Sequence, residues 1–396
     1  MNFIIYHLDS LSPLAIKRKD NLKFENEKIT DNFISLISKD SIFFKNLYSF
    51  GETWSTTFEY FTNGNMLSGY GDAFHCHKSF KSEYSIAKIF KEKKFTTFLY
   101  RDQKDFPNKG FYKRYFDSLS KDFDHICLSK EGKIKSLKDF LKENKNNFFE
   151  KKNKMFLIHD YSLHDNDMVY YKPTAKNYLR AVNLSAKKIK NNLKVINYNK
   201  KKDILVLLSD HGLNLYPESK IHFDKYLNRN EYQKYYLSLL EDSKIKSCFF
   251  IKAPGLKARD ISRMIVPKDV FGVLTEIVRL NFVLKKIPHL FKKIKYINNK
   301  ITVSVRAAVA DPYNNFFFKE FFHCHLINIG PNLKISYSLG HPNPFYDFIK
   351  KKHVNFKKNE KFDLNQKIFE YYSLKNIINK IILLLFSYVH RLRSFL

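Results

Sequence analysis

Short apolar runs that end in polar residues recur along the first 280 residues of the chain. Residues 3–8 form one such run and end at Asp9, and the strongest run, residues 204–208, leads into Asp210 and His211. Apolar runs of this length, bounded by polar residues, are typical of strands buried in a parallel sheet. The pattern predicts further strands at residues 96–100, 155–158 and 249–251.

The segments between these runs place apolar residues three or four positions apart, which is the spacing of an amphipathic helix. The clearest such segments are residues 28–40, 84–94 and 174–192. Alternating strands and helices are typical of an α/β fold, with a mostly parallel central sheet that helices flank. Polar residues at the strand ends then meet at one edge of that sheet, where open α/β sheets build their sites.

Beyond residue 280 the pattern changes, and it divides the chain into three parts. Residues 1–280 are predicted to form the main domain. Residues 281–350 are predicted to form a smaller C-terminal sheet that completes the fold, with strands at 301–305 and 333–337. Residues 351–396 are predicted to be a lysine-rich spacer followed by an amphipathic tail.

The tail contains an apolar stretch, residues 377–389, that is too short to span a membrane. Arg391 and Arg393 follow this stretch and can meet anionic lipid head groups, so we expect peripheral contact between the tail and a membrane. A helix that packs on the rest of the chain or on a partner subunit needs the same apolar face and is an equal alternative.

The chain is strongly basic. Its 396 residues include 70 lysines and arginines against 39 aspartates and glutamates, which gives a formal net charge of +31. The lysines are spread along nearly the whole sequence, and no motif that interleaves basic and aromatic residues accompanies them. The charge therefore favours general solubility and steering of anionic ligands, and we expect no specific nucleic-acid partner.

The spacing of the cysteines and the first residues of the chain indicate the cellular compartment in which the protein is expected. The four cysteines are widely separated and form no Cys-x-x-Cys pair, which argues against a disulfide scaffold and against a zinc ribbon. Neither a secretory signal at Met1 nor an apolar run of about 18 residues is recognisable. We therefore expect a cytoplasmic protein, with the tail on the inner face of the membrane.

Four clusters place metal-type ligands or hydroxyl groups where strands end. They are Asp9, the hydroxyl-rich segment 51–57, the pair Asp160 and His164, and the pair Asp210 and His211. Carboxylate oxygens and imidazole nitrogens suit zinc or another divalent metal, and two such ions about 4 Å apart can hold a phosphate between them. Singly, each cluster is equally explained by a helix cap or a turn, and only their joint order along the chain indicates chemistry.

In this order the sequence resembles the alkaline phosphatase superfamily, in its sulfatase-like branch. The resemblance runs over roughly residues 2–340, and its most specific piece is the strand end Ser-Asp-His-Gly at 209–212. The other segments that carry it are 2–13, 43–49, 53–64, 85–97, 178–208, 251–255 and 270–277.

The resemblance implies a set of metal ligands and a nucleophile. It places one ion on Asp9, Thr53, Asp210 and His211, with Thr53 as the attacking residue. The spacing of Asp160 and His164 is similar to that by which two-metal members hold a second ion, and His222 is the candidate third ligand of that ion. His323, His325 and His341 compete with His222 for this role, or have a structural role or contact substrate.

The sequence also departs from the sulfatase pattern. Sulfatases of this branch use a cysteine in a Cys-x-Pro-x-Arg setting, whereas no cysteine here has that setting and position 53 is threonine. Ser10 stands where sulfatases commonly carry a second aspartate after the first strand. Phosphoethanolamine and phosphoglycerol transferases of the branch use threonine, so the resemblance favours phosphoester over sulfate-ester chemistry.

The sequence therefore predicts a metal-dependent phosphoester hydrolase or phosphotransferase that acts through a covalent threonine intermediate. The expected cofactor is one or two divalent ions, with zinc preferred over manganese, calcium and magnesium. The expected substrate is a phosphorylated or sulfated small molecule, glycan or lipid. Two alternatives stay open: a sulfuric ester hydrolase, and a catalytically inactive sulfatase-like protein that binds anionic surfaces.

Overall fold

The structure of the chain is a computed structural model, and it describes fifteen segments of the sequence. These are residues 1–13, 41–49, 53–64, 82–102, 110–127, 135–145, 152–163, 175–212, 246–265, 267–282, 301–308, 322–329, 334–338, 345–347 and 352–353. The helix predicted over residues 28–40 and the tail 377–389 lie outside these segments.

The described residues contain six helices and fourteen strands. The helices are α1 (Thr53–Phe61), α2 (Ile86–Glu92), α3 (Gly110–Ser120), α4 (Leu137–Glu143), α5 (Ala175–Val195) and α6 (Pro267–Arg279). The strands are β1 (Asn2–Leu8), β2 (Ser41–Tyr48), β3 (Thr96–Arg101), β4 (His125–Cys127), β5 (Lys154–Asp160), β6 (Ile204–Leu208), β7 (Lys246–Ser247), β8 (Phe249–Lys252), β9 (Arg259–Ile265), β10 (Ile301–Ala308), β11 (Phe322–Ile329), β12 (Lys334–Ser338), β13 (Phe345–Asp347) and β14 (Lys352–His353).

The large sheet confirms the predicted α/β architecture. Its strands follow the order β4-β3-β5-β1-β6-β8-β2, and β7 and β9 also pair with β2. Pairing is parallel from β4 through β6, and β8 is antiparallel to both of its neighbours. The five strands predicted in the first 280 residues, which became β1, β3, β5, β6 and β8, all belong to this sheet.

Strand β1 sits at the centre of the parallel part and is buried along its whole length. It pairs with β5 on one side and β6 on the other, so that Leu8 is opposite Asp160 and His7 is opposite both His159 and Leu208. The carboxyl ends of the three strands therefore lie side by side, because parallel strands in register end at the same edge of a sheet.

Because side chains alternate along β1, successive residues pack into two separate hydrophobic cores. Phe3 and Ile5 pack in the core that α1, α2, α3 and α6 cover, whereas Ile4, Tyr6 and Leu8 pack in the core that α4 and α5 cover. A strand that is apolar on both faces needs helices on both sides of the sheet to bury it. This requirement explains the three-layer arrangement.

Helix α5 is the main element of the second core, and it extends three residues beyond the predicted segment 174–192. Ala181 and Ala186 are fully buried, and their small side chains leave room for the backbone of the helix to approach the sheet. Asn197 takes a left-handed conformation with φ 60°, and the N–H of Tyr198 donates to the carbonyl of Leu193 at 2.9 Å. This bond satisfies a carbonyl of the last turn, as in other helices that end on a left-handed residue.

A second, antiparallel sheet contains β10 to β14 in sequence order. It includes the two strands predicted at 301–305 and 333–337, and it confirms the predicted smaller C-terminal sheet. Strand β14 lies within the range 351–396 that was predicted as spacer and tail. Its residues belong to the second sheet, since Lys352 pairs with Asp347 and His353 with Tyr346. In the described part of the chain, no helix has the length and hydropathy needed to cross a membrane.

The central position of β1 leads to a stability prediction. Ile5→Ala removes a fully buried side chain from the first core and should lower the free energy of unfolding by about 2–5 kcal/mol, measured by urea denaturation. Leu184→Ala on α5 is the matched control, because its side chain is 50% exposed and should change stability by only about 0.5 kcal/mol. Equal losses in the two variants would contradict the assignment of β1 to the core.

Candidate metal centre

The ends of β1 and β6 bring together two carboxylates and one imidazole. One ligand atom from each of Asp9, Asp210 and His211 lies within 4.8 Å of the others, and all three residues are buried. The Nε2 atom of His211 lies 3.4 Å from an oxygen of Asp210 and 3.9 Å from an oxygen of Asp9. Asp9 follows β1 directly, and the other two residues follow β6 after Ser209.

Ser10 ties the two strand ends to each other. Its N–H donates to Asp210 Oδ1 at 3.0 Å, and its hydroxyl donates to Asp9 Oδ1 at 2.7 Å. Ser10 adopts φ 64°, in the left-handed region that non-glycine residues rarely enter. A strained conformation of this kind persists only where surrounding contacts hold it. Here two hydrogen bonds go to candidate ligands, and the hydroxyl of Tyr178 donates a third to the carbonyl of Ser10 at 2.7 Å.

The turn that carries Asp210 is anchored on both sides. The hydroxyl of Ser209 donates to the carbonyl of Leu11 and accepts from the N–H of Cys248, both at 2.7 Å. The hydroxyl of Ser247 donates to the carbonyl of Asp210 at 2.8 Å. From α1, the hydroxyl of Tyr60 donates to the carbonyl of Ser209 at 3.0 Å. The position of Asp210 is therefore set before any ligand binds.

The hydrogen bonding of His211 determines which of its ring nitrogens faces the carboxylates. Its Nδ1 lies 2.7 Å from the carbonyl oxygen of Gly212, and a carbonyl can only accept, so Nδ1 carries a proton. In the neutral ring, Nε2 then presents a lone pair toward Asp9 and Asp210. Metal-bound histidines are commonly oriented in this way by a hydrogen bond from their other nitrogen.

These residues fit a divalent cation. Two buried carboxylates next to a nitrogen lone pair are costly without positive charge between them, because burial strips each anion of water. Carboxylate oxygen with imidazole nitrogen is the mixed donor set of zinc and similar divalent ions. The part of the chain that the structure describes contains no other group of three or more such ligands.

Comparison with solved structures decides the fold. The chain is similar to a 2-O GAG sulfatase at 12% identity and TM-score 0.52, covering 98% of this chain and 92% of the other. It is similar to the lipoteichoic acid synthase LtaP from Listeria monocytogenes at 14% identity and TM-score 0.50, covering 96% and 92%. It is also similar to a Bacteroides thetaiotaomicron protein connected with metabolism of multiple glycosaminoglycans, at 12% identity and TM-score 0.55, covering 93% of each.

The chain has the fold of these sulfatase and lipoteichoic acid synthase structures. The fold that the sequence resemblance implies is thus confirmed by the three-dimensional structure. No protein-family model and no curated protein matches the sequence itself. Because the identities are low, these similarities show the fold alone.

Asp160 is not part of the three-residue group in this sulfatase-like fold. Its two carboxylate oxygens accept from the ammonium of Lys188 at 2.8 Å, from the N–H of Ser162 at 2.9 Å and from the hydroxyl of Tyr6. Only its backbone carbonyl reaches the centre, where it accepts from the N–H of Asp9 at 3.0 Å. The structure therefore does not bring the Asp160 carboxylate to Asp9, Asp210 and His211.

The other residues predicted for the site are described only in part. The backbone of Thr53 begins α1, and its side chain lies outside the described structure. His323 and His325 lie on β11 of the second sheet. His164, His222 and His341 lie outside the described segments.

Sequence reasoning missed a buried polar layer beneath the metal centre. His7 on β1 is opposite His159 on β5, and their ring centroids lie 4.2 Å apart. Arg101, at the end of β3, is opposite His159 on its other side. The guanidinium of Arg101 lies 4.8 Å from the ring of Tyr161 and donates to its hydroxyl. The alternation of side chains along β1 could have predicted this layer, because it places His7 on the face opposite Tyr6 and Leu8.

Burial controls the protonation of the two histidines. Burial lowers the pKa of His7 to about 4, with Asp210 opposing the shift and Arg101 adding to it. Burial also lowers the pKa of His159, and the charges of His7 and Arg101 lower it further. Both rings are therefore neutral at pH 7, and protonating either of them within the fold is unfavourable.

These shifts predict a loss of stability in acid. Because unfolded histidine has a pKa near 6.5, the unfolded chain binds more protons below that pH, and the free energy of unfolding falls between about pH 6.5 and pH 4. At pH 5 the contribution of His7 to this loss is about 2 kcal/mol, at 1.36 kcal/mol per pH unit. His7→Gln should reduce the difference in unfolding free energy between pH 7 and pH 5 by that amount, measured by urea denaturation with excess chelator.

The control for the histidine experiment is Ile5→Val, a change on the same face of β1 that carries no titrating group. It should lower the free energy of unfolding by about 1 kcal/mol at both pH values and leave their difference intact. An unchanged pH dependence in His7→Gln would refute the role given to His7.

Proposed function

We propose that the chain is a metal-dependent phosphoester hydrolase or phosphotransferase that acts through a covalent intermediate on Thr53. The observation that supports this proposal most strongly is the convergence of Asp9, Asp210 and His211, buried at the carboxyl ends of two adjacent parallel strands. Open α/β sheets place their sites at this edge, and the three side chains supply the ligands of one divalent ion.

The place of Thr53 supports its role as nucleophile. It is the first residue of α1, and the first turn of a helix has N–H groups without partners inside the helix, which favour the oxygens of a phosphoryl group. An ordinary threonine hydroxyl is a poor nucleophile at neutral pH. A divalent ion held by Asp9, Asp210 and His211 would supply the positive charge that stabilises the Thr53 alkoxide and the phosphoryl oxygens.

The reaction that follows has two displacements at phosphorus. In the first, the hydroxyl of Thr53 loses its proton to solvent, and its oxygen forms a bond to phosphorus. The bond to the leaving oxygen breaks, and the leaving oxygen takes up a proton. In the second, water or an acceptor alcohol attacks the same phosphorus and gives up a proton, the bond to Thr53 breaks, and the Thr53 oxygen takes up a proton to restore its hydroxyl. Water gives a hydrolase, and an alcohol gives a transferase.

The proposed substrate is an anionic glycan or a lipid-linked phosphoester. The formal net charge of +31 favours association with polyanions. The structural neighbours include a GAG sulfatase and a lipoteichoic acid synthase, which makes glycan and lipid-linked substrates the first classes to test. We further propose that the protein is cytoplasmic and that its C-terminal tail contacts the inner face of the membrane.

Substitution of Thr53 tests the covalent step. Thr53→Ala should abolish turnover in a panel of phosphomonoesters and phosphodiesters, whereas Thr53→Ser keeps a hydroxyl and should retain a measurable part of it. Brief exposure to a labelled phosphoester, followed by digestion and mass spectrometry, should locate the phosphoryl group on Thr53. Ser55→Ala is the control on the same helix and should keep turnover near that of the parent.

Two outcomes would count against this function. Label on Thr56 or Thr57, or parental turnover in Thr53→Ala, would exclude Thr53 as nucleophile. Turnover of sulfate esters without turnover of phosphoesters would instead support the sulfuric ester hydrolase alternative.

A further inference from the structure

One side chain of helix α5 reaches the segment that carries Asp9. Tyr178, the fourth residue of α5, is buried in the second hydrophobic core, and its hydroxyl bonds to the residues that follow β1. We refer to residues 9–12 as the ligand turn. Ser10, Leu11 and Ser12 of this turn are fully buried, so their backbone polar groups need partners within the protein.

The hydroxyl of Tyr178 makes two hydrogen bonds to the ligand turn. It donates to the carbonyl of Ser10 at 2.7 Å and accepts from the N–H of Ser12 at 2.8 Å. A phenol has one proton to donate and an oxygen that accepts, so the same atom serves both backbone groups. The tyrosine therefore connects the backbone on the two sides of Leu11.

The hydroxyl keeps the proton that this arrangement requires. Burial raises the pKa of Tyr178, the hydrogen bond from the N–H of Ser12 opposes the shift, and the negative charge of Asp210 adds to it. The net shift is upward, so the side chain is neutral at pH 7 and donates to the carbonyl of Ser10.

Three consecutive peptide groups of the ligand turn are held by hydrogen bonds. The peptide before Ser10 donates its N–H to Asp210, and the peptide after Ser10 accepts from Tyr178 through its carbonyl. The next peptide accepts from the hydroxyl of Ser209 through the carbonyl of Leu11 and donates to Tyr178 through the N–H of Ser12. The directions of the two peptides that flank Ser10 together determine its φ and ψ.

The conformation of Ser10 matters because this residue bonds to two candidate ligands at once. At φ 64° its N–H reaches Asp210 while its hydroxyl reaches Asp9. A return to negative φ would change the angle between the N–H and the side chain, so the two bonds could not both be kept. Contacts from outside the ligand turn have to hold a serine in this left-handed conformation.

We propose that Tyr178 is a positioning residue of the metal centre, which holds Ser10 in its left-handed conformation and thereby sets the directions of the Asp9 and Asp210 carboxylates. The inference rests on the proposed metal site at Asp9, Asp210 and His211. The hydroxyl of Tyr178 bonds to backbone groups only, and its effect on the two carboxylates passes through Ser10. Groups behind the ligands that orient them commonly control metal affinity in this way.

Zinc affinity tests the proposal. Tyr178→Phe keeps the buried ring and removes the hydroxyl, so the two carboxylates are no longer pre-arranged and zinc should bind at least about tenfold more weakly. The measurement is a titration of the purified chain with Zn²⁺ in competition with a chromophoric chelator of known affinity. Zinc at the centre is identified as the zinc that Asp210→Asn fails to bind.

Tyr100→Phe is the matched control. Tyr100 lies in the same core, and its hydroxyl also donates to a backbone carbonyl, that of Lys135 at 2.8 Å, away from the ligand turn. Both variants lose a hydrogen bond and should lower the urea midpoint by comparable amounts. Only Tyr178→Phe should weaken zinc binding, which separates positioning from general destabilisation.

A second measurement tests whether the effect passes through Ser10. Glycine adopts positive φ without a steric penalty, so Ser10→Gly removes the strain against which the tyrosine holds the turn. The factor by which Tyr178→Phe weakens zinc should therefore be clearly smaller in the Ser10→Gly background than in the parent. Residues that act through one another are coupled in such a cycle, whereas independent residues are not.

The outcomes distinguish this inference from the function on which it rests. Parental zinc affinity in Tyr178→Phe, or an equal loss in Tyr100→Phe, would overturn the positioning role and leave the proposed metal-dependent enzyme in place. Equal factors in the two backgrounds would overturn the route through Ser10. No zinc in the parent, or zinc that Asp210→Asn binds equally well, would overturn this inference and the proposed function together.

Discussion

Parallel pairing of β1 with both β5 and β6 is the constraint on which the rest of the structure depends. It puts the carboxyl ends of three buried strands side by side, with His7 opposite His159 and Leu208. Asp9, Asp160 and Asp210 lie at or just after these three strand ends, so the pairing places them close together. A shift of one residue in either register would exchange the two faces of the strand and separate Asp9 from Asp210.

Among the described residues, four buried carboxylates lie at this edge of the sheet, and the fold compensates them in two different ways. Asp102 and Asp160 share the ammonium of Lys188. Asp9 and Asp210 have the Nε2 atom of His211 between them, together with hydrogen bonds from Ser10. A tethered lysine is a permanent cation, whereas the second arrangement offers the ligands that an exchangeable divalent ion needs.

Much of the fold could be predicted because its signals are local. The runs at residues 3–8 and 204–208 are apolar throughout, and both are strands of the parallel sheet. Strand β2 was not predicted as a strand, since Lys45 and Asn46 interrupt its apolar pattern and its pairing with β8 and β9 is long-range. Strand order predicted that Asp9, Asp210 and His211 lie at one edge of the sheet, and the family resemblance implied that they act together. The role of Asp160 could not be predicted, because it depends on Lys188, a residue 28 positions away on another element.

We propose that Asp9, Asp210 and His211 together bind the divalent ion at which a phosphoester reacts. Anomalous diffraction from crystals grown with Zn²⁺, recorded on both sides of the zinc absorption edge, tests it most directly. We expect one strong peak within bonding distance of both carboxylates and of Nε2 of His211, at about 2.0–2.2 Å from the ligand atoms. Zinc bound only elsewhere, with these three side chains in place and no peak between them, would show that they are not the metal site.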